Sequence, residues 1–100
     1  MIDSFIDRTT KREQSFYDGK TPNAPKGICH LPMDTPYSTG LRELFIQGAK
    51  ELEIPHHTSG IAICIEGPRF STKAESNVFR SWDGSVINMT TVPEVCIFFA

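Results

Sequence analysis

Two short stretches of this 100-residue chain combine side chains that can bind a small planar or polar ligand. Residues 66–71, EGPRFS, place the ring of Phe70 and the hydroxyl of Ser71 directly before a predicted helix. Thr90 adds a second hydroxyl after an apolar stretch. A ring can stack on a flat ligand, and hydroxyls can hydrogen-bond an anion or a sugar. Two simpler roles remain open, because a loop phenylalanine often packs into a core and Ser71 can help cap the helix.

The elements around these stretches predict a parallel α/β unit. Residues 60–65, GIAICI, form an apolar run typical of a strand that is covered on both faces. Thr72 and Glu75 form a capping box that starts a helix. Residues 85–89, SVINM, predict a second strand, and 90–94 resemble a helix entry. In such folds ligands bind beyond the carboxyl ends of the strands, where both stretches emerge.

The first half of the chain predicts a strand, a long irregular segment and a helix. Residues 2–7 alternate apolar and polar side chains, as a strand does. Residues 8–39 hold most of the prolines and an Asp18-Gly19 turn signal, so we expect a long excursion there. Residues 41–53 predict a helix whose apolar side chains share one stripe, namely Leu41, Leu44, Phe45, Ala49 and Leu52.

Composition indicates one globular domain and argues against several classes of function. The formal charge is −2 and no basic stripe is present, so nucleic acid is a poor candidate partner. No apolar run is long enough to predict a membrane span. Three cysteines without a signal peptide favour free thiols and a cytoplasmic location, with the nucleus left open as a further one. The pairs Cys29-His30 and His56-His57 lack the ligand spacing of a zinc site, so we expect no metal.

Five motifs together resemble one enzyme family. FIDRTT, QSFYDG, CHLPM, IEGPRFSTKAES and VINMTTVPEV, in this order, resemble the central part of the purine nucleoside phosphorylase superfamily, and within it the enzymes that act on 5'-methylthioadenosine. The resemblance covers residues 2 to about 95 and leaves the final CIFFA unmatched. It implies that residues 1–100 are a partial nucleoside phosphorylase domain. The implied fold is α/β, a partial phosphorylase-type mixed sheet with flanking helices that lacks the N- and C-terminal parts of the family domain.

The resemblance also implies a role for individual residues. Phe70 is expected to stack on the purine, and Ser71 to set a preference for an adenine-type base. Ile87 and Met89 are expected to lie against the nucleoside, with Thr90 at the phosphate or the sugar hydroxyls. His30 is expected to cover the 5'-methylthio group bound in a neighbouring subunit, because the resemblance implies a homotrimer. The segment WDGSV departs from the family's Trp-Gly-Ala-Asp-Val, which is expected to shift the turn before Ile87.

The implied reaction is phosphorolysis of 5'-methylthioadenosine to adenine and 5-methylthioribose 1-phosphate. Phosphate is the co-substrate, and no cofactor or metal is implied. The family's general acid and most of its phosphate site match nothing in this chain, so no catalytic residue is predicted. Two alternatives stay open. One is a phosphorylase for 6-oxopurine nucleosides, against which Ser71 argues, and the other is a non-catalytic subunit that associates with full-length chains.

Overall fold

The computed structural model of the chain describes residues 1–14, 17, 19 and 22–99, without the side chains of 98 and 99. Within these residues, three strands alternate with three helices. The elements are β1 (Ser4–Arg8), α1 (Thr39–Glu51), β2 (Ile61–Ile65), α2 (Lys73–Ser81), β3 (Gly84–Asn88) and α3 (Thr91–Phe99). The strands and helices expected from the sequence are therefore present, with boundaries shifted by a few residues.

The three strands form one parallel sheet in the order β1-β2-β3. Ser4 pairs with Ile61 and Arg8 pairs with Ile65, so β1 and β2 end at the same level. The predicted α/β class is confirmed. Among the described residues all strand pairs are parallel, so the antiparallel pairing of a mixed sheet is not seen in this part of the chain.

The core is built on the central strand. Residues 62–65 of β2 are all buried, as the continuous apolar run predicts. Ile63 and Ile65 pack with Phe79 of α2, and the partly buried Met89 packs against the same cluster. Cys64 lies on β2 with no exposed surface, and its Sγ accepts a hydrogen bond from the Val92 backbone N–H at 3.4 Å. The core therefore reaches directly to the ends of β2 and β3.

The start of β3 contains a bulge. Ile61 pairs with Gly84 but Ala62 pairs with Val86, which leaves Ser85 as an extra residue. Ser85 is used locally, because its Oγ accepts a hydrogen bond from the Ile61 backbone N–H at 3.2 Å. Asp83, directly before the strand, has φ of 60°. The unusual segment WDGSV thus forms an irregular entry into β3.

Helix α1 begins at Thr39, slightly before the predicted start at residue 41, and buries little of its apolar stripe. Ser38 is the N-cap, and its Oγ accepts a hydrogen bond from the Leu41 N–H at 3.4 Å. Of the stripe only Ala49 is buried, and the other four side chains are exposed. Periodicity reveals an apolar face on a helix but does not identify what covers it, and within the described part of the chain nothing does.

The segment between β1 and α1 has no helix or strand among its described residues, 9–14, 17, 19 and 22–38. This agrees with the expected long excursion. Asp18 of the predicted turn lies outside the described residues. The helices in the described part of the chain are all too short or too polar to cross a lipid bilayer.

Candidate functional site

The β2–α2 loop, residues 66–72, presents Phe70 to solvent. The Phe70 side chain is 83% exposed, so it is not the core residue that one interpretation of the sequence allowed. The Ser71 and Ser76 hydroxyls share a hydrogen bond of 2.9 Å, which ties Ser71 to the first turns of α2. The loop therefore offers a free aromatic face next to an anchored hydroxyl.

The start of α2 fixes this loop. The Thr72 Oγ1 accepts from the Glu75 N–H at 3.1 Å, and the Glu75 carboxylate accepts from the Thr72 N–H at 2.6 Å, which confirms the predicted capping box. Arg69 donates two hydrogen bonds of 2.8 Å to the same carboxylate. The Arg69 guanidinium, followed by the Thr72 N–H, lowers the pKa of Glu75 to about 2. The Glu75 carboxylate thus binds the residues on either side of the Phe70–Ser71 pair, Arg69 before it and Thr72 after it.

The β3–α3 junction, residues 89–92, lies at the end of the neighbouring strand. The Asn88 Oδ1 accepts hydrogen bonds from the Thr90 and Thr91 backbone N–H groups at 3.1 and 3.0 Å. These bonds shape the turn and leave the Thr90 side chain exposed. Ile87, on β3, is 42% exposed, whereas Met89 is partly buried against the core. The end of β3 and the junction therefore present the exposed Thr90 and the half-exposed Ile87, beside the partly buried Met89.

Gly67 brings the two segments into contact. Its φ is 69°, in the left-handed region that glycine adopts most easily. A Cβ at this position would lie 2.6 Å from the Met89 Sδ, closer than any side chain can approach. The thioether of Met89 therefore lies directly over the Gly67 backbone, three residues before Phe70. The structure thus places the β2–α2 loop beside Met89, at the carboxyl ends of β2 and β3.

Arg12 reaches the same region from a third segment, the one that follows β1, and Glu66 of the β2–α2 loop binds that segment. The Glu66 Oε2 accepts hydrogen bonds from the Thr10 and Lys11 backbone N–H groups at 2.6 and 3.1 Å. These two bonds, with a smaller contribution from Arg12, lower the pKa of the Glu66 carboxyl. Arg12 in turn donates to Glu66 and to the carbonyls of Met89 and Val92. The segment after β1 is therefore fixed to the ends of β2 and β3.

A cavity of about 360 Å³ opens beside the β2–α2 loop. Its polar lining comes from Arg8, Thr10, Glu66, Arg69, Ser71 and Glu75. The Arg8 guanidinium lies 5.8 Å from the ring centre of Trp82, which forms part of the wall. Of the residues expected at a binding site, only Ser71 lines this cavity.

His30 is not brought to this edge by any polar contact in the described part of the chain. It is exposed on the irregular segment between β1 and α1. That segment does reach the site further along, because the Tyr37 side chain hydrogen-bonds the Thr91 side chain. Burial raises the pKa of the Tyr37 hydroxyl, against the smaller opposite effect of that bond. Across the described residues no group of three potential metal ligands comes together.

Sequence reasoning missed Arg12 and the role of Glu66. The two residues are 54 positions apart, and neither shows a periodicity that would indicate a contact. Gly67 did carry a signal, since a glycine before a proline directly after a strand indicates a special backbone conformation. Of the residues expected at the site, Phe70 and Ser71 lie on the β2–α2 loop, and Met89 and Thr90 lie on the β3–α3 junction. Ile87 lies on β3, and His30 lies on the segment between β1 and α1.

Comparison with known proteins assigns the family. Residues 1–97 match the family model described as the phosphorylase superfamily. This chain belongs to the phosphorylase superfamily. The expected resemblance is thus confirmed, and the match extends two residues beyond the motifs, into the segment CIFFA.

Individual members of the superfamily are similar over nearly the whole chain. S-methyl-5'-thioadenosine phosphorylase of Xenopus tropicalis is 58% identical over 97 residues, which are 97% of this chain and 34% of that protein. The Drosophila melanogaster protein of the same name is 57% identical over 93 residues, 93% of this chain and 32% of that protein. This phosphorylase-superfamily chain therefore spans about a third of the length of the curated relatives it matches.

Solved phosphorylase structures share the fold. Methylthioadenosine phosphorylase from Schistosoma mansoni in complex with adenine aligns with a TM-score of 0.85 and 35% identity, over 96% of this chain and 40% of that one. The same enzyme in complex with tubercidin aligns with a TM-score of 0.83 and 35% identity, over 95% and 39% of the two chains. The α/β arrangement described above is thus the one found in those enzymes.

Proposed function

We propose that this chain carries the base and sugar side of a phosphorylase site that cleaves 5'-methylthioadenosine. The observation that supports this most directly is the free ring of Phe70, 83% exposed, on a loop whose Gly67 adjoins Met89. A free ring on the loop after β2, together with an apolar side chain directly after β3, suits a flat base joined to a sugar. The names of the similar curated proteins support the same substrate.

In the proposed reaction a phosphate oxygen bonds to C1' of the ribose as the bond from C1' to N9 of adenine breaks. The bonding electron pair goes to the purine, which takes up a proton. Phe70 stacks on the purine, Ser71 hydrogen-bonds its edge, and Ile87 and Met89 contact the nucleoside, with Met89 near the ribose. Thr90 binds the phosphate or the sugar hydroxyls. The roles proposed for these residues are binding and positioning, which contribute to rate by holding the reactants in line.

Assembly and location form the second part of the proposal. His30 is exposed on a long irregular segment, which suits a residue that covers the site of a neighbouring subunit in a homotrimer. We place the protein in the cytoplasm, with phosphate as co-substrate and without a cofactor. Sedimentation of the chain at increasing concentration tests the assembly, and a monomer at all concentrations would refute it.

The test of function is titration of the purified chain with 5'-methylthioadenosine, with and without phosphate, together with an assay for released adenine. Phe70→Ala removes the proposed stacking surface and should weaken nucleoside binding about tenfold or more, since stacking of a base on an aromatic side chain contributes about 1–3 kcal/mol. Phe45→Ala is the matched control, because Phe45 is also an exposed phenylalanine but lies on α1. It should bind as the unaltered chain does.

Two outcomes would overturn this function. One is the absence of nucleoside binding by the unaltered chain, and the other is an equal loss of affinity in the Phe70→Ala and Phe45→Ala variants. Titration with inosine separates the 6-oxopurine alternative, since a site that prefers an adenine-type base should bind inosine more weakly than 5'-methylthioadenosine.

A further inference from the structure

Arg12 lies where the carboxyl ends of all three strands meet. It follows β1 by four residues, Glu66 directly follows β2, and Met89 directly follows β3. Its side chain is only 20% exposed, although it belongs to a segment without regular structure. A guanidinium at this depth requires hydrogen-bond acceptors, and the strand ends supply them.

The guanidinium donates to both segments that carry the candidate site. On the β2–α2 loop, Nη2 donates to the Glu66 carbonyl at 2.9 Å and Nε donates to its carboxylate at 3.4 Å. On the β3–α3 junction, Nη1 donates to the Val92 carbonyl at 2.5 Å and also to the Met89 carbonyl. One planar group thus connects the backbone at Met89 to the backbone just before Gly67.

Only arginine can make this set of bonds. Its five N–H donors lie in one plane at fixed angles, whereas the lysine ammonium is a single point with three donors. The Glu66 carboxylate completes the arrangement, because it also accepts from the backbone of Thr10 and Lys11 and so holds the segment that carries Arg12.

We propose that Arg12 is a positioning residue that holds the β2–α2 loop and the β3–α3 junction at a fixed separation, so that Phe70 and Met89 can contact one nucleoside together. Each of its three guanidinium nitrogens donates to a protein acceptor, so it acts through the two segments. The consequence for nucleoside affinity rests on the proposed function, whereas the fixed separation of the segments does not.

The experiment uses the full chain with Arg12→Ala and Arg12→Lys, and Lys11→Ala as the matched control. Lys11 contributes only its backbone N–H to Glu66, so truncating its exposed side chain removes a neighbouring charge and leaves the bonds in place. The first readout is the nuclear Overhauser contact between Gly67 and the Met89 side chain, with the amide exchange of β2 as a measure of global folding. The second is titration with 5'-methylthioadenosine, and the third is rescue of Arg12→Ala by millimolar guanidinium chloride.

We expect both Arg12 variants to lose the Gly67–Met89 contact and to bind 5'-methylthioadenosine about tenfold more weakly or worse, because several charge-assisted hydrogen bonds are lost. Guanidinium should restore Arg12→Ala and leave Arg12→Lys unchanged, since the lysine side chain occupies the space. A contribution to stability alone would leave the Gly67–Met89 contact in place in a variant whose β2 keeps its slow amide exchange. Lys11→Ala should match the unaltered chain.

An intact Gly67–Met89 contact in the variants, or rescue of neither variant, overturns the proposal. If β2 of Arg12→Ala also loses its slow amide exchange, that variant has unfolded. The Gly67–Met89 contact in Arg12→Lys then decides the proposal. If the unaltered chain binds no nucleoside, the proposed function fails, and the contact and its rescue by guanidinium still decide the role of Arg12.

Discussion

Substitution of Gly67 by alanine tests whether the two loops meet as described. The φ of 69° makes a side chain unfavourable here by about 1–2 kcal/mol. Alanine also lowers the conformational entropy of the unfolded chain, which stabilises the folded state by about 0.4–1 kcal/mol. The new Cβ would also lie 2.6 Å from the Met89 Sδ, and moving that flexible side chain off its rotamer costs about 0.5–1.5 kcal/mol. The net expectation is a loss of about 1–2 kcal/mol in the free energy of unfolding.

Urea unfolding followed by the fluorescence of Trp82, the single tryptophan, measures this loss. Gly48→Ala is the matched control, because a Cβ there meets nothing within 4 Å and the residue lies inside α1. It should stabilise the chain by about 1 kcal/mol, the difference in helix propensity between the two residues.

A double-mutant cycle separates the cost of the left-handed backbone at Gly67 from the cost of the collision with Met89. In a Met89→Ala background the collision is absent, so Gly67→Ala should cost about 0.5–1.5 kcal/mol less than in the unaltered chain. An equal cost in both backgrounds would refute the contact between Gly67 and Met89. A stabilising effect like that of Gly48→Ala would refute the left-handed conformation of Gly67.

Two further predictions concern the sheet and its acid sensitivity. Gly84→Ala should lower the free energy of unfolding by about 1–3 kcal/mol, because the new Cβ would lie 2.7 Å from the Ile63 Cγ1 and 2.8 Å from the Phe79 carbonyl oxygen; an unchanged urea midpoint would contradict it. The lowered pKa of Glu66 means that its contribution to stability is complete above the ordinary glutamate value of 4.5 and is lost as the pH falls through the lowered one. Acid titration of the unaltered chain and of Glu66→Gln should therefore show a shallower loss of stability below that value in the variant, and identical curves would contradict the assignment.

The parts of the fold that were predicted well are those with a local cause. The apolar run of β2 indicates burial on both faces, and four of its five residues are buried. The capping box of α2 is a contact between residues three positions apart, so the sequence displays it directly. The two loops of the candidate site follow from the same local signals, since a parallel strand fixes the edge at which its next residues emerge.

The parts that were missed depend on contacts between distant segments. Arg12 and Glu66 meet across 54 positions, and a charged residue in an irregular segment is most often solvated. The spacing of apolar residues in α1 predicts a stripe on one face, but the exposure of that stripe depends on which surfaces are nearby in space. His30 was assigned by resemblance alone, and no polar contact among the described residues links it to the loops.

The buried thiol of Cys64 can report how often this edge of the sheet opens. Its Sγ has no contact with solvent and lies behind the Val92 N–H and 3.9 Å from the Arg12 guanidinium. A thiol reagent can reach it only when α3 or the Arg12 segment moves away, whereas Cys29 and Cys96 are partly exposed in the structure itself. The rate at which Cys64 is alkylated therefore measures how often this edge opens, and a ligand that closes it would slow that reaction without touching the sulfur.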